Sequence, residues 1–425
     1  MATSRFSRRT LITSAGLGAG LAMTACTSPS SSGGGSDGGK PLKLLLLGPT
    51  QQLLSELKEK YLPEFEKQAG VKVELQSSDW GSAFQKITTG AASNSLPDVF
   101  AIGGIWTAPL ASKGVLLDLG PKLDKWDAKG EFFSGMLEDG VYEDKQYALP
   151  FQADVRVGMY RKDLLEEAGV SALPTTWDEF RAAAEKVKAK GKVKSPIYWN
   201  LDTSIGIQQS FAQLFLQAGG KYFDSQGKAT FASDAGVKAL TFMVDTFKDG
   251  LSDYNIVYSG NGPRPLVDGM AALTLNGVAV ANNARDNKPE VVDLLAAGPG
   301  LKADAAGKST SVAWINKFAI AASSKNPDKA WELVQYLTGG PSRDELAKLY
   351  GNLPVRKDVA KASWLTPLDK QVMESADNAT SQPRNPVMMK LGPAVRDLLE
   401  PAIRGQASVA ETLEKMDSTV DSLGS

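Results

Sequence analysis

The chain has 425 residues, with 47 basic against 48 acidic side chains, no histidine and a single cysteine. Its length calls for two or three domains rather than one small core, and the near-neutral balance leaves no basic footprint for nucleic acid. Without histidine there is no histidine triad, no histidine metal site and no access to the commonest general base. The lone Cys26 excludes an intrachain disulfide, a cysteine zinc site and an iron–sulfur cluster, so no cofactor is expected.

Residues 1–25 read as an export signal: Arg5, Arg8 and Arg9 precede an apolar run from Leu11 to Ala25 that is too short to span a bilayer. Ser7 to Ile12 fits either a twin-arginine motif or a plain basic leader. Leu21-Ala22-Met23-Thr24-Ala25-Cys26 resembles a bacterial lipoprotein cleavage site, which would make Cys26 the acylated residue. Residues 26–40 would then be a Ser/Gly tether that cannot bury a core.

The folded part is predicted to open with a buried strand over Leu42–Leu47, a helix carrying Leu53, Leu57, Tyr61 and Phe65, and a strand through Val71, Val73 and Leu75. This β-α-β order implies a parallel sheet, and a helix from Trp80 followed by a strand at Pro97–Ile102 repeats it. Ligands of such sheets bind beyond the carboxyl ends of strands, where Trp80 and Trp106 both fall.

The stretch from Tyr147 to Gly169 is read as a crossing between two lobes. Pro150 is expected to turn the chain before a strand from Asp154 to Tyr160, in which Asp154 and Arg156 share a face. Two readings compete: an exposed ion pair worth little, or two charged groups lining a cleft, each able to bind a polyhydroxylated ligand directionally.

Beyond the crossing, Thr176-Trp177-Asp178-Glu179 is a capping box whose helix should stop at Gly191. A short strand, Pro196–Asn200, leads to Asp202. A strand over Val291–Ala296 is expected to return to the first lobe, and Ser311–Ala321 to cross back to the second. A proline-started helix then follows Asn326.

Several of these segments together resemble the family 1 extracellular solute-binding proteins, the sugar-binding subunits of ABC importers. They are Leu149-Pro150, Asp154, Tyr160-Arg161-Lys162-Asp163-Leu164 with Ala168-Gly169, Val267–Gly277, Tyr350–Arg356 and Gln382–Pro386. Val278 departs from the pattern, standing where the family usually has a stacking aromatic. The resemblance implies an α/β, two-lobed periplasmic-binding-protein fold, each lobe a mixed sheet flanked by helices and joined by a hinge. Lobe 1 would take residues 41–151 plus 290–317, and lobe 2 residues 152–289 plus 318–425.

It further implies a monomeric, non-enzymatic protein, exported and lipid-anchored to the outer face of the cell membrane. Such a protein would hand a small-molecule ligand, a sugar or oligosaccharide, to an ABC permease and its ATPase subunits. The alternatives are the same fold binding a glycerophosphodiester, or a secreted glycoside hydrolase, which would also pair carboxylates with cleft tryptophans.

For a sugar, Trp80, Trp106, Trp199 and Trp314 are the candidate stacking platforms, each with a core role as its alternative. Asp154, Arg156, Asp202, Asn276, Asn316, Asn352 and Arg384 are the candidate polar partners. Trp126, Trp177, Trp331 and Trp364 read as helix-packing residues.

Overall fold

The computed structural model describes residues 40–201, 206–256, 264–376 and 379–423. The export signal, Cys26 and Asp202 lie outside the described residues. Strand β1 (Leu42–Leu47) is nearly all buried, and it pairs in parallel with β2 (Val73–Ser78) and β3 (Val99–Ile102). The helix between β1 and β2 contains a π turn, Leu57–Tyr61, directly ahead of Pro63. Proline lacks the N–H and crowds the carbonyl four residues back, and a widened turn relieves both.

A hairpin of β4 (Val141–Tyr142) and β5 (Lys145–Gln146) leads into β6 (Ala148–Arg161). The remaining strands are β7 (Ile197–Tyr198), β8 (Leu273–Asn276), β9 (Leu295–Ala297), β10 (Ser311–Ile320) and β11 (Ala379–Thr380). Among the described residues the main sheet runs β2-β1-β3-β10-β6-β8-β7, with β9 beside β6 and β11 beside β10.

Two long antiparallel strands carry the chain between two cores. The first part of β6 pairs with β10, whereas Val157–Tyr160 pair with β8 and Met159–Arg161 with β9. The first core gathers Leu44, Leu57, Phe65, Phe100, Phe318, Val334 and Leu346. The second gathers Tyr160, Trp177, Phe180, Trp199, Phe211, Phe215, Met243 and Leu399. The molecule is therefore a two-lobed α/β protein with a mixed sheet.

Three expectations are corrected. The chain does not turn at Pro150, because β6 passes straight through it. Pro150 stands opposite Lys317, where the β10 register shifts between Asn316 and Lys317, and a bulge is a place where a strand tolerates a residue with no N–H.

The second crossing runs the other way from that expected. The strand placed at Val291–Ala296 is β9, which begins at Leu295 and pairs with the second-lobe end of β6; β10 then leads back to the first lobe and pairs with β3. Accordingly Phe318, Trp331, Val334, Leu346 and Val372 pack in the first core, so residues 318–425 do not form one lobe. Only the last two helices, Met388–Ile403 and Val409–Leu423, supply the second core. The capping box at Thr176, the stop at Gly191 and the helix starting at Pro327 stand as the sequence predicts.

Candidate functional site

The carboxyl ends of β1, β2 and β3 carry Gly48, Trp80 and the turn Gly103–Trp106. Gly48 is left-handed (φ 55°), and a β-carbon there would stand 2.5 Å from Trp80 Nε1, so the indole lies directly over a backbone that only glycine allows. Asp79 caps the helix that starts at Trp80, accepting the Ser82 N–H at 2.9 Å. Trp106 is buried; it meets Trp80 at 5.9 Å and Phe84 at 5.6 Å, both edge-on, so it braces Trp80, whose ring stays partly exposed.

At the crossing, antiparallel pairing sets Gln152 opposite Asn316 and Asp154 opposite Trp314. Arg156 Nε and Nη2 both donate to Asp154 Oδ2, at 3.0 and 2.9 Å. The Arg156 guanidinium also lies 4.5 Å from the Trp314 ring centre. The Arg156 and Asp154 side chains are only 12% and 19% exposed, too covered for a solvated surface pair.

One bridge brings in a further segment: Ala153 and Leu353 exchange backbone hydrogen bonds at 3.0 and 3.1 Å, setting Asn352 beside this face. Gln152 Oε1, Asp154 Oδ1 and Asn352 Oδ1 are all buried acceptors with no hydrogen-bond partner among the described residues. Buried acceptors are ordinarily paired, so three around one bridge mark a place built to receive donors. Beside them the wholly buried Lys317 donates to Asp139 and to the Gly104 carbonyl at 3.0 Å, fixing the turn that lies against Trp314. Burial pushes the Lys317 ammonium pKa down, against the opposing pull of Asp139.

Across the crossing Arg156 also lines a cavity of about 210 Å³ with Tyr198, Arg264, Thr274, Asn276 and Asn283. Gly277 joins the two regions, because a β-carbon there would come within 2.4 Å of Asp154 Oδ1.

The structure thus gathers Trp80, Trp106, Asp154, Arg156, Asn276, Trp314, Asn316 and Asn352 around the crossing, but not all as expected. Trp199 is corrected to a core residue: it is buried against Phe180 and Phe242, with its indole N–H donated to Thr246 at 2.9 Å. Strand alternation turns its neighbour Tyr198 to the cavity instead. Trp314 is a buried support, with a face covered by Arg156. Arg384 is tied to Glu138, donating to its carbonyl at 2.5 Å and its carboxylate at 3.0 Å, and does not line the cavity. Val278 is buried and so offers no exposed face for stacking.

Sequence reasoning missed Gln152, Tyr198, Arg264 and Asn283. Gln152 was recoverable: it shares the face of Asp154 once the strand is allowed through Pro150.

A sheet crossed by two long strands, with aromatic, charged and unpaired polar groups meeting where they cross, defines a two-lobed ligand-binding protein. The chain belongs to the bacterial extracellular solute-binding protein family, whose profile it matches over residues 48–340. It is similar to the "Probable ABC transporter-binding protein" of Deinococcus radiodurans, at 26% identity over 329 residues, covering 72% of this chain and 74% of that one. The Diacetylchitobiose binding protein DasA of Streptomyces coelicolor is 34% identical over 139 residues, covering 32% of this chain and 31% of DasA.

Among solved structures, an ABC transporter solute-binding protein of Thermotoga lettingae bound with alpha-D-tagatose superposes with a TM-score of 0.80 at 24% identity. That match covers 90% of this chain and 99% of the other. The chain is thus a solute-binding protein of an ABC transporter, with a small-molecule ligand and a permease as its partners. Among the described residues no helix is long and apolar enough to cross a membrane.

Proposed function

We propose that this protein captures a saccharide at the crossing of its two lobes and delivers it intact to the permease. The observation that carries this is the trio of unpaired acceptors, Gln152 Oε1, Asp154 Oδ1 and Asn352 Oδ1. An apolar ligand would leave all three desolvated and unsatisfied, at about 1–3 kcal/mol each, whereas ring hydroxyls supply the donors they lack. Trp80 adds a partly exposed indole on which the C–H face of a pyranose can stack. The sugars bound by DasA and by the Thermotoga protein support the same ligand class.

The hinge is the β6–β10 pair, and closure about it brings the Trp80 side and the Arg156 side onto one ligand. The chain is a binding subunit and not an enzyme: capture needs no acid and nucleophile at defined separation, and Asp154 is committed to Arg156. Cys26 is the lipid anchor, holding a monomer on the outer face of the membrane; Cys26→Ala should move the protein to the medium with its ligand affinity unchanged.

A thermal-shift screen over mono- and oligosaccharides tests the ligand class. A ligand at about a hundred times its dissociation constant adds about 2.7 kcal/mol of stability. A screen in which no saccharide raises the melting temperature, while a solute of another class does, overturns the reading.

A further inference from the structure

We infer that the ligand carries an anionic group, making it an acidic saccharide, and that Arg264 is the residue that selects it. This rests on the saccharide reading above and deepens it. The cavity of about 210 Å³ next to the crossing is lined, among the described residues, by two arginines, Arg156 and Arg264, and by the amide and hydroxyl groups of Asn200, Asn276, Asn283, Tyr198 and Thr274, with no carboxylate among them.

The two cations differ in what balances them. Arg156 is neutralised by the two hydrogen bonds it gives Asp154. Arg264 has no ion-pair partner among the described residues, and its Nε is buried without an acceptor. Asp268 acts on Arg264 through charge without a hydrogen bond to its guanidinium: Oδ2 accepts the Arg264 backbone N–H at 2.6 Å and Oδ1 pairs with Lys288 at 2.8 Å. A buried guanidinium nitrogen without an acceptor is costly, and a carboxylate or phosphate oxygen is the group whose geometry matches the fork.

A second feature points the same way. Helix Ala279–Asn287 presents its first residues, Ala279 and Val280, to the same cavity. Its N-terminus has no side-chain cap and no acid in its first turn, and the Asp154 carboxylate lying against Gly277 just before that turn is engaged by Arg156. Among the described residues, an uncapped helix start, an arginine without an ion-pair partner and a lining free of carboxylates converge on one small space with room for one charged substituent. The adjoining acceptors at Gln152, Asp154 and Asn352 take up hydroxyl donors of the same ligand. A neutral sugar would leave Arg264 unmatched.

The test is calorimetric titration of the full mature chain with matched probes: galacturonate and glucuronate mono- and oligosaccharides, the neutral galactose and glucose parents, and a sugar phosphate with a glycerophosphodiester. The expected result is that an acidic probe binds at least tenfold more tightly than its neutral parent. That preference should shrink as salt rises from 50 to 500 mM, because ionic screening weakens the charge term. Arg264→Gln should remove the preference, costing the acidic probe about tenfold to hundredfold and the neutral parent little. Arg264→Lys should recover part of it, and a melting temperature close to wild type for either variant separates lost binding from lost fold.

Tight Arg264-dependent binding of the uronates identifies a carboxylate as the anion, and the same pattern with the phosphate probes identifies a phosphate. Equal affinity for acidic and neutral sugars, unchanged by Arg264→Gln, overturns the inference while leaving the saccharide reading standing. Binding of no saccharide at all overturns both.

Discussion

Asp154→Asn separates a ligand-binding carboxylate from a structural one. Oδ2 takes both hydrogen bonds from Arg156, while Oδ1 is buried and takes none. Asparagine keeps the shape but loses the charge, and either orientation of its amide fails one partner: it meets Arg156 with a donor, or it meets the ligand hydroxyl with one. The hydrogen bond from ligand to a charged acceptor is worth about 1.5–3 kcal/mol, which corresponds to a loss in affinity of about tenfold to more than a hundredfold.

Stability should fall by about 1–3 kcal/mol. The pair is covered well beyond a surface bridge, worth at most about 1 kcal/mol, but is less enclosed than a fully buried pair, whose breakage costs about 3–5 kcal/mol. Titration calorimetry with a saccharide from the screen reads the first number, and urea unfolding of the ligand-free protein reads the second. Wild-type affinity in Asp154→Asn, whatever happens to stability, would refute the placement of Oδ1 in the site.

Lys317→Met should destabilise by about 3–5 kcal/mol, because it strands the buried Asp139 carboxylate and frees the Gly104 carbonyl. Adding Asp139→Leu should recover most of that loss in urea unfolding, and a double variant no better than the single one contradicts the pairing. Burial would raise the Asp358 pKa, but hydrogen bonds and charge from Arg356 and Arg343 outweigh it and hold the value at about 2, below the ordinary 3.8. Its contribution, about 2 kcal/mol, is therefore present above about pH 4 and lost as pH falls through 2. Asp358→Asn should flatten the acid limb of the stability curve between those values, as thermal melts at stepped pH would show.

The parallel start of the first lobe's sheet was legible because its strands are short apolar runs separated by helix-period segments, as at Leu42–Leu47 and Val99–Ile102. The crossing was legible in place but not in extent. Pro150 reads locally as a breaker, and only the long-range register slip at Asn316 and Lys317 makes it acceptable within β6.

The return of the chain failed for a related reason. A three-residue strand such as β9 carries too little pattern to show which lobe it joins, and its partner Met159–Arg161 lies more than a hundred residues away. Within the site, alternation put Asp154 and Arg156 on one face but left open whether they formed an exposed ion pair or lined a cleft, which only the burial of the pair separates. Trp199 could not be separated from Tyr198, because which of two adjacent aromatics faces inward depends on the second-lobe helices packed behind β7. Arg264 gave no local signal: its role comes from a cavity assembled from residues 156 to 283.

The claim that this chain holds a saccharide at its crossing without altering it is met most directly by recovering the ligand from a stoichiometric complex. The tightest saccharide of the screen is titrated to saturation, the complex is isolated and denatured, and the released sugar is chromatographed against the starting material. The account predicts one equivalent of sugar per chain, recovered at its original length and charge. Shortened products, or a saturating stoichiometry far from one, would contradict it.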